Sequence, residues 1–228
     1  MIIEKGRPIH LSFSAIYSNK VIGGLFQMND LIKDIIYSSI MNLFKNQPEI
    51  FENTDQTNLT EWNLSHHLSN EIKKYIFWLD YDLDVTKRNY RNNRPDIIFH
   101  RRQVNTFNFL VVELKKSRYD NQSDVKKIKE DWMSEPLNYR FGAYINIWGV
   151  GKYKAILFEK DGKKSDVNEL CNYIHVPNLS DEVLLQYKEL IDGSKSINND
   201  IELMKNLSLI DSQIYNIYAQ DNSYLTLK

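Results

Sequence analysis

One short apolar run narrows the choice of fold more than any other part of this chain. The residues Phe109-Leu110-Val111-Val112 are all hydrophobic, and charged residues follow them directly. A strand with one solvated face alternates between apolar and polar residues, whereas a strand covered on both faces need not alternate. The run therefore predicts a β-strand whose sheet carries helices on both faces, which is an α/β architecture.

The segments around this strand predict the rest of the sheet and its helices. Aliphatic residues at helical spacing indicate helices, and runs rich in β-branched and aromatic residues indicate strands. The expected helices cover residues 30–44, 60–77, 123–135 and 181–192, and the expected strands cover 82–87, 96–101, 107–114, 140–148 and 153–159. A hairpin is expected over 8–27 and a loop over 46–58. This order predicts a mixed central β-sheet flanked by helices, with a helical C-terminal extension.

The chain divides into three expected parts. Residues 1–58 form an N-terminal hairpin and helix extension packed on the core, residues 59–177 form the core, and residues 178–228 form a C-terminal helical segment. Apolar residues in the last part alternate steps of four and three, as in a heptad seam, and these are Leu203, Leu207, Ile210, Ile214 and Ile217. Only about two heptads are present, fewer than a coiled coil requires. The seam is expected to pack on its own domain, with a homodimer through the C-terminal helix as the alternative.

Composition and charge limit the compartment and the partners. Cys171 is the single cysteine, which excludes a disulfide framework and a cysteine-based zinc site. No run of about 18 apolar residues exists, and Glu4 and Lys5 stand where a signal peptide would be apolar, so a cytoplasmic protein without a membrane partner is expected. The net charge is −1, yet residues 86–140 hold 13 Lys/Arg against 7 Asp/Glu. This basic middle favours a phosphate-binding face, although solvated basic loops would give the same count.

Two carboxylates and a lysine converge if the strand segments around them form a hairpin. With a turn centred on Val104 and Asn105, paired residue numbers sum to 209, and Asp96 lies opposite Glu113. Directly opposed residues of an antiparallel pair point to one face, with Cβ atoms about 5 Å apart. Because side chains alternate along a strand, Lys115 shares the face of Glu113. A register slip of one residue would put the carboxylates on opposite faces.

This cluster has the composition of a magnesium site. Mg²⁺ prefers carboxylate oxygens, keeps several waters and takes further ligands from substrate phosphates. A bound metal polarises a phosphoryl oxygen, and a nearby lysine can orient the attacking water or stabilise negative charge. The alternatives are that Glu113 and Lys115 are the solvated end of a strand and that Asp96 is a turn residue. The joint order and spacing of the three residues favour a functional site.

The same residues resemble the motif of the PD-(D/E)xK nuclease superfamily. Pro95-Asp96 stands on one strand, and Glu113-Leu114-Lys115 ends the next. The resemblance implies that Asp96 and Glu113 bind a metal ion together with the backbone carbonyl of Leu114. It also implies that Lys115 positions the attacking water for in-line cleavage of a phosphodiester bond.

The resemblance extends over roughly residues 60–160 and implies a restriction-endonuclease-like core with Mg²⁺ or Mn²⁺ as cofactor. Members of the superfamily commonly have an acidic residue on a preceding helix, and Glu61 is the best match here. A helix-capping pair of Glu61 with Asn58 is the alternative interpretation.

Basic and aromatic residues flank the expected site in sequence. The candidates for contact with nucleic acid are Tyr90, Arg91, Arg94, Lys116, Arg118 and Lys126. The helix with Lys126, Lys127 and Lys129 is expected to line the same cleft, with a solvated helix face as the alternative. Such residues suit phosphate contacts and base stacking, although exposed loops are often basic. The expected function is that of a Mg²⁺-dependent endonuclease, with DNA favoured over RNA by the resemblance, in defence or in mobile elements. The alternative is a catalytically silent nuclease-like module that binds nucleic acid or assembles with proteins.

Overall fold

The computed structural model describes residues 28–52, 61–85, 93–172, 174–194 and 200–220. The hairpin expected over residues 8–27 lies outside these ranges, as do Asn58, Tyr90 and Arg91. Within them, no helix is both long enough and apolar enough to cross a membrane.

A six-stranded sheet forms the centre of the described structure and confirms the expected mixed sheet flanked by helices. Its strands lie side by side in chain order as β1 (Asp80–Leu83), β2 (Ile97–Arg101), β3 (Val104–Lys115), β4 (Phe141–Gly149), β5 (Lys152–Glu159) and β6 (Lys164–Asp166). β3 and β4 pair in parallel, and the other neighbours pair antiparallel. The parallel pair is possible because a long helical connection joins its two strands.

Helices cover both faces of this sheet. In chain order they are α1 (Met28–Asn46), α2 (Glu49–Glu52), α3 (Glu61–Tyr75), α4 (Gln122–Lys127), α5 (Asp181–Gly193) and α6 (Asp200–Gln220), with a π-helix at Ile128–Trp132 directly after α4. Residues of α1, α3, α5 and α6 contribute to a large hydrophobic core on one face. The π-helix contributes to a smaller core on the other face.

The strand β3 lies between these two cores. Leu110, Val112 and Leu114 belong to the large core, and Val111 belongs to the small one. All four side chains are fully buried, which confirms that the apolar run is a strand covered on both faces. Because side chains alternate along a strand, Glu113 points to the face of the small core.

The loop expected over residues 46–58 is wrong in part, because it contains the helix α2. Pro48 directly precedes this helix, and Ile50 within it is buried. The fixed φ angle of proline suits the start of a helix, so here Pro48 begins a helical turn instead of excluding one. Ile50 and its partly buried neighbour Phe51 pack against the large core.

The α-helix expected over residues 123–135 is shorter than predicted and changes type. After α4 the chain widens into the π-helix, in which the Met133 amide donates to the Ile128 carbonyl oxygen at 2.9 Å. Single π turns of this kind occur within helices, frequently at functional sites. A single π turn is too short to produce a repeating pattern of apolar residues, so it cannot be predicted from the sequence.

The β2–β3 hairpin has the predicted register but a different turn. Its pairs Ile97–Val112, Ile98–Val111 and Phe99–Leu110 each sum to 209. The turn itself is at Arg102 and Gln103 and not at Val104 and Asn105. Register shifts on both sides of His100 insert extra residues on the β3 side. These irregularities compensate for the displaced turn, so Asp96 and Glu113 still arrive at the same end of the hairpin.

The C-terminal helix α6 packs against its own chain. Ile210, Ile214 and Tyr218 are buried in the large core, and the Tyr218 hydroxyl donates to the backbone carbonyl of Tyr75. The expected packing of the heptad seam on its own domain is confirmed for Ile210 and Ile214. A homodimer stays a prediction, and it would have to use the side of α6 that faces away from this core.

Candidate active site

The four acidic and basic residues predicted for the site meet at the end of the β2–β3 hairpin that lies away from its turn. Asp96 immediately precedes β2, and Glu113 and Lys115 end β3. Glu61 is the first residue of α3. The Leu114 amide donates to Asp96 Oδ2 at 2.6 Å, and the Lys115 ammonium donates to Glu61 Oε2 at 3.1 Å. Three separate segments of the chain therefore bring their charged side chains together.

The charge of Asp96 influences the ionisation of Glu113. Burial, followed by the charge of Asp96, raises the pKa of Glu113 to about 7. Burial also raises the pKa of Asp96, although the hydrogen bond from the Leu114 amide opposes this. Two carboxylates that share a poorly solvated site disfavour each other's charged form. The pair therefore favours binding of a positively charged group.

Glu113 is held in place by the π-helix. The Trp132 indole Nε1 donates to Glu113 Oε1 at 2.7 Å, and both side chains are buried. The second oxygen, Oε2, faces the ammonium of Lys127 at 4.0 Å. Glu113 thus has one oxygen fixed by a neutral donor and one directed at the charged groups of the site.

Lys115 lies between two further carboxylates. Its Nζ atom is 3.1 Å from Glu61 Oε2 and 3.6 Å from Asp124 Oδ2. Burial alone would lower the pKa of Lys115, but the hydrogen bond with Glu61 and the surrounding negative charges outweigh burial, and the pKa is raised. Lys115 is therefore a permanent cation near neutral pH and acts through its charge and its donor hydrogens.

Glu61 reaches the end of β3 with both of its oxygens. Oε2 accepts from Lys115, and Oε1 lies 3.4 Å from the backbone amide of Lys116. The capping alternative cannot be compared directly, because Asn58 lies outside the described residues. The contacts that the structure does describe favour a role for Glu61 in the site.

Asp124 and Trp132 were not predicted as site residues, and Lys127 was expected only on a helix that lines the same cleft. Asp124 and Lys127 on α4 form an ion pair of 3.0 Å beside Glu113 and Lys115, and Trp132 binds Glu113. The spacing of Asp124 and Lys127 places them on one helix face, which is a weak signal. Nothing in the spacing shows that this face turns toward the sheet, because that orientation depends on tertiary packing.

The predicted contacts with nucleic acid that the structure describes are Arg94, Lys116, Arg118 and Lys126. Arg94 is exposed and pairs with Asp84, and Lys126 is exposed and lies 3.6 Å from Glu130. Arg118 is also exposed. Lys116 directly follows Lys115, and its backbone amide lies 3.4 Å from Glu61 Oε1. The contact of these four residues with nucleic acid stays a prediction.

The donor set fits a metal ion that keeps much of its water shell. Within the described ranges, no three Asp, Glu, His or Cys side chains are arranged to enclose an ion. Mg²⁺ is usually bound through one or two carboxylates plus substrate phosphates, and Asp96 and Glu113 match that number of carboxylates. Beside them, the buried Oδ2 atom of Asp124 has no hydrogen-bond partner. The Leu114 carbonyl as a third ligand stays a prediction.

Comparisons with protein-family models, with curated proteins and with solved structures find no match to this chain. The resemblance to PD-(D/E)xK nucleases therefore stays a prediction from the motif residues.

Proposed function

We propose that this chain is a divalent-metal-dependent nuclease with a PD-(D/E)xK-type site on a restriction-endonuclease-like core. The observation that supports the proposal is the convergence of Asp96, Glu113 and Lys115, joined by Glu61, at one end of one hairpin. Burying carboxylates such as Asp96 and Glu113 opposes folding unless they are paired, so their placement here favours a purpose other than stability. Binding a metal ion and a phosphate would be such a purpose.

Each residue has a distinct role in this proposal. Asp96 and Glu113 would hold the cofactor, and the Leu114 carbonyl is the third ligand that the family resemblance implies. Bound Mg²⁺ or Mn²⁺ would polarise a phosphoryl oxygen and lower the pKa of a bound water. Lys115 remains protonated and donates a hydrogen bond to the attacking water or to the negative charge that develops on the phosphate. Glu61 orients the Lys115 ammonium through the 3.1 Å hydrogen bond.

The proposed substrate is nucleic acid, with DNA placed before RNA because of the family resemblance. Basic residues that follow or precede the cluster in sequence would contact the phosphate backbone, which positions a substrate without reading its sequence. The described candidates are Arg94, Lys116, Arg118 and Lys126. The proposed biological context, defence or a mobile element, follows from the same analogy.

A cleavage assay tests the proposal. Supercoiled plasmid and labelled single strands of DNA and RNA are incubated with the wild type, Asp96→Ala and Lys115→Ala in Mg²⁺ or Mn²⁺. We expect metal-dependent cutting by the wild type and a loss of at least about 10²-fold in each variant, as for removal of one catalytic charge. Asp161→Asn, an exposed carboxylate in the turn between β5 and β6, is the matched control and should cut normally.

Two results would contradict this function. Cutting that survives both Asp96→Ala and Lys115→Ala, with circular dichroism unchanged, would place the activity elsewhere. No cutting of any substrate by the wild type would favour the alternative, a silent nuclease-like module that binds nucleic acid or assembles with proteins.

A further inference from the structure

Asp124 is a buried carboxylate to which the proposed mechanism assigns no role. Its side chain is 2% exposed, and its Oδ2 atom has no hydrogen-bond partner. The Lys115 ammonium lies 3.6 Å from that oxygen. Burial of a carboxylate is costly unless nearby positive charge compensates. The position of Asp124 therefore depends on the lysines beside it.

Helix capping does not account for Asp124. It is the third residue after the cap residue Asn121, a position from which an acidic side chain can accept the amide of the cap residue. The Asn121 amide instead donates to the Tyr144 hydroxyl at 2.7 Å. The Asn121 side chain caps the helix by accepting from the Ser123 amide at 3.0 Å. The Asp124 carboxylate is thus directed into the cluster and not back along its helix.

Lys127 lies one helical turn further on, between two carboxylates. Its Nζ atom is 3.0 Å from Asp124 Oδ1 and 4.0 Å from Glu113 Oε2. The Lys127 side chain is 42% exposed, whereas both carboxylates are buried. An ammonium has three donor hydrogens, so a hydrogen remains for a ligand that approaches from solvent. Lys127 is therefore the cation on the open side of the cluster.

The π-helix makes this arrangement possible. Lys127 and Trp132 both approach Glu113, although they are five residues apart. In a regular α-helix such residues would point about 140° away from each other. The i→i+5 hydrogen bond from the Met133 amide to the Ile128 carbonyl widens the turn here. The wider turn brings both side chains to the same carboxylate.

We propose that Lys127 is a second phosphate-binding cation of this site and that Asp124 is the positioning residue that holds Lys127 and Lys115 beside Glu113. The ligand class is the phosphodiester backbone of nucleic acid. The inference rests on the proposed nuclease function and adds two residues to it. Asp124 does not touch the substrate and acts only through the two ammonium groups.

Binding without turnover is the appropriate test. Fluorescence anisotropy follows a short labelled duplex and a short labelled single strand, with Ca²⁺ in place of Mg²⁺ and again in EDTA. Lys127→Met keeps the aliphatic stem and removes the charge, and it should raise the Kd about tenfold, the effect of one lost charge-assisted hydrogen bond. Lys188→Met, an exposed lysine on α5, is the matched control and should change the Kd less than about twofold.

The role of Asp124 is tested by a double-mutant cycle. Asp124→Asn should also weaken binding, and adding Lys127→Met to it should weaken binding no further, because Asp124→Asn already displaces the Lys127 ammonium. In Mg²⁺, Lys127→Met should raise KM more than it lowers kcat, whereas Asp124→Asn should lower kcat as well, because it also releases Lys115. A purely structural role for Asp124 would predict additive effects on binding.

The outcomes separate this inference from the proposed function. A wild type that binds and cuts nucleic acid, with Lys127→Met equal to it in Kd and KM, overturns the inference alone. Fully additive effects of Asp124→Asn and Lys127→Met overturn the positioning role. A wild type that binds neither probe overturns the proposed function together with the inference.

Discussion

Glu113 shows how the burial that forms the site also makes the protein sensitive to pH. Its pKa is raised from an ordinary value of 4.5 to about 7, first by burial and then by the charge of Asp96. Between pH 4.5 and about 7, Glu113 in the folded protein keeps a proton that it has already lost in the unfolded chain. The protonated side chain therefore stabilises the fold below about pH 4.5, and this stabilisation is lost as the pH rises through about 7.

The substitution Glu113→Gln tests this pH dependence in metal-free protein. The variant keeps the shape of the side chain and cannot ionise, so in EDTA it should melt close to the wild type at pH 5. At pH 8 it should melt above the wild type by several degrees, corresponding to about 1–3 kcal/mol. Differential scanning calorimetry at the two pH values measures the difference. An equal difference at both pH values would show that Glu113 does not titrate in this interval.

Some residues of the site can be predicted from the sequence, and others cannot. Asp96, Glu113 and Lys115 are predictable because side-chain alternation and hairpin pairing relate residues close in sequence. The orientation of Asp124 and Lys127 toward the cluster is not predictable, because it depends on a π turn and on packing against the sheet.

At the scale of secondary structure elements, the close approach of β4 and the π-helix positions Trp132. Gly142 on β4 has no side chain, and a Cβ atom there would lie 2.2 Å from Ile128 Cγ2 and 2.8 Å from Met133 Sδ. Both neighbours belong to or directly follow the π-helix that holds Glu113. The absence of a side chain at Gly142 therefore allows the π-helix to pack this closely against the sheet.

Gly142→Ala should therefore damage both stability and the site. The methyl group would push the π-helix outward, which we expect to cost about 1–3 kcal/mol of the free energy of unfolding and to lower nuclease activity. Gly149→Ala on the same strand is the control, because its Cβ would first meet the flexible Lys152 side chain at 3.4 Å. Chemical denaturation and the cleavage assay measure the two effects. Equal behaviour of the two variants would contradict the proposed role of the close approach.

The hairpin illustrates the limit of sequence reasoning at the element scale. Pairing near the site was predictable from alternation, whereas the turn position and the irregularities around His100 were not, because bulges follow from local backbone geometry. The irregularities offset the difference between the predicted and the observed turn position, so the pairing near the site is as predicted.

At the scale of the whole molecule, one large core joins distant parts of the sequence. Ile35 from α1, Leu68 from α3 and Ile214 from α6 are all buried in it. The bidentate pair of Arg140 with Asp211, at 3.0 and 2.6 Å, also ties α6 to the start of β4. The C-terminal helix is therefore an integral part of the fold that supports the hairpin.

Ile214→Ala tests the contribution of α6 to the fold. Truncation of a fully buried isoleucine should cost about 2–5 kcal/mol of the free energy of unfolding. The exposed Lys205→Ala on the same helix should have little effect. Urea denaturation at several protein concentrations measures both variants. A loss for Ile214→Ala that appears only at high protein concentration would instead indicate that α6 acts in a homodimer.

The claim on which the proposed chemistry depends is that Asp96 and Glu113 bind a divalent cation together. Isothermal titration calorimetry with Mn²⁺ at pH 8 measures this directly in the wild type, Asp96→Asn and Glu113→Gln. We expect saturable binding by the wild type and an affinity at least about tenfold weaker in each variant, because each loses one carboxylate ligand. No binding by the folded wild type, or equal affinity in all three proteins, would show that these carboxylates do not form a metal site.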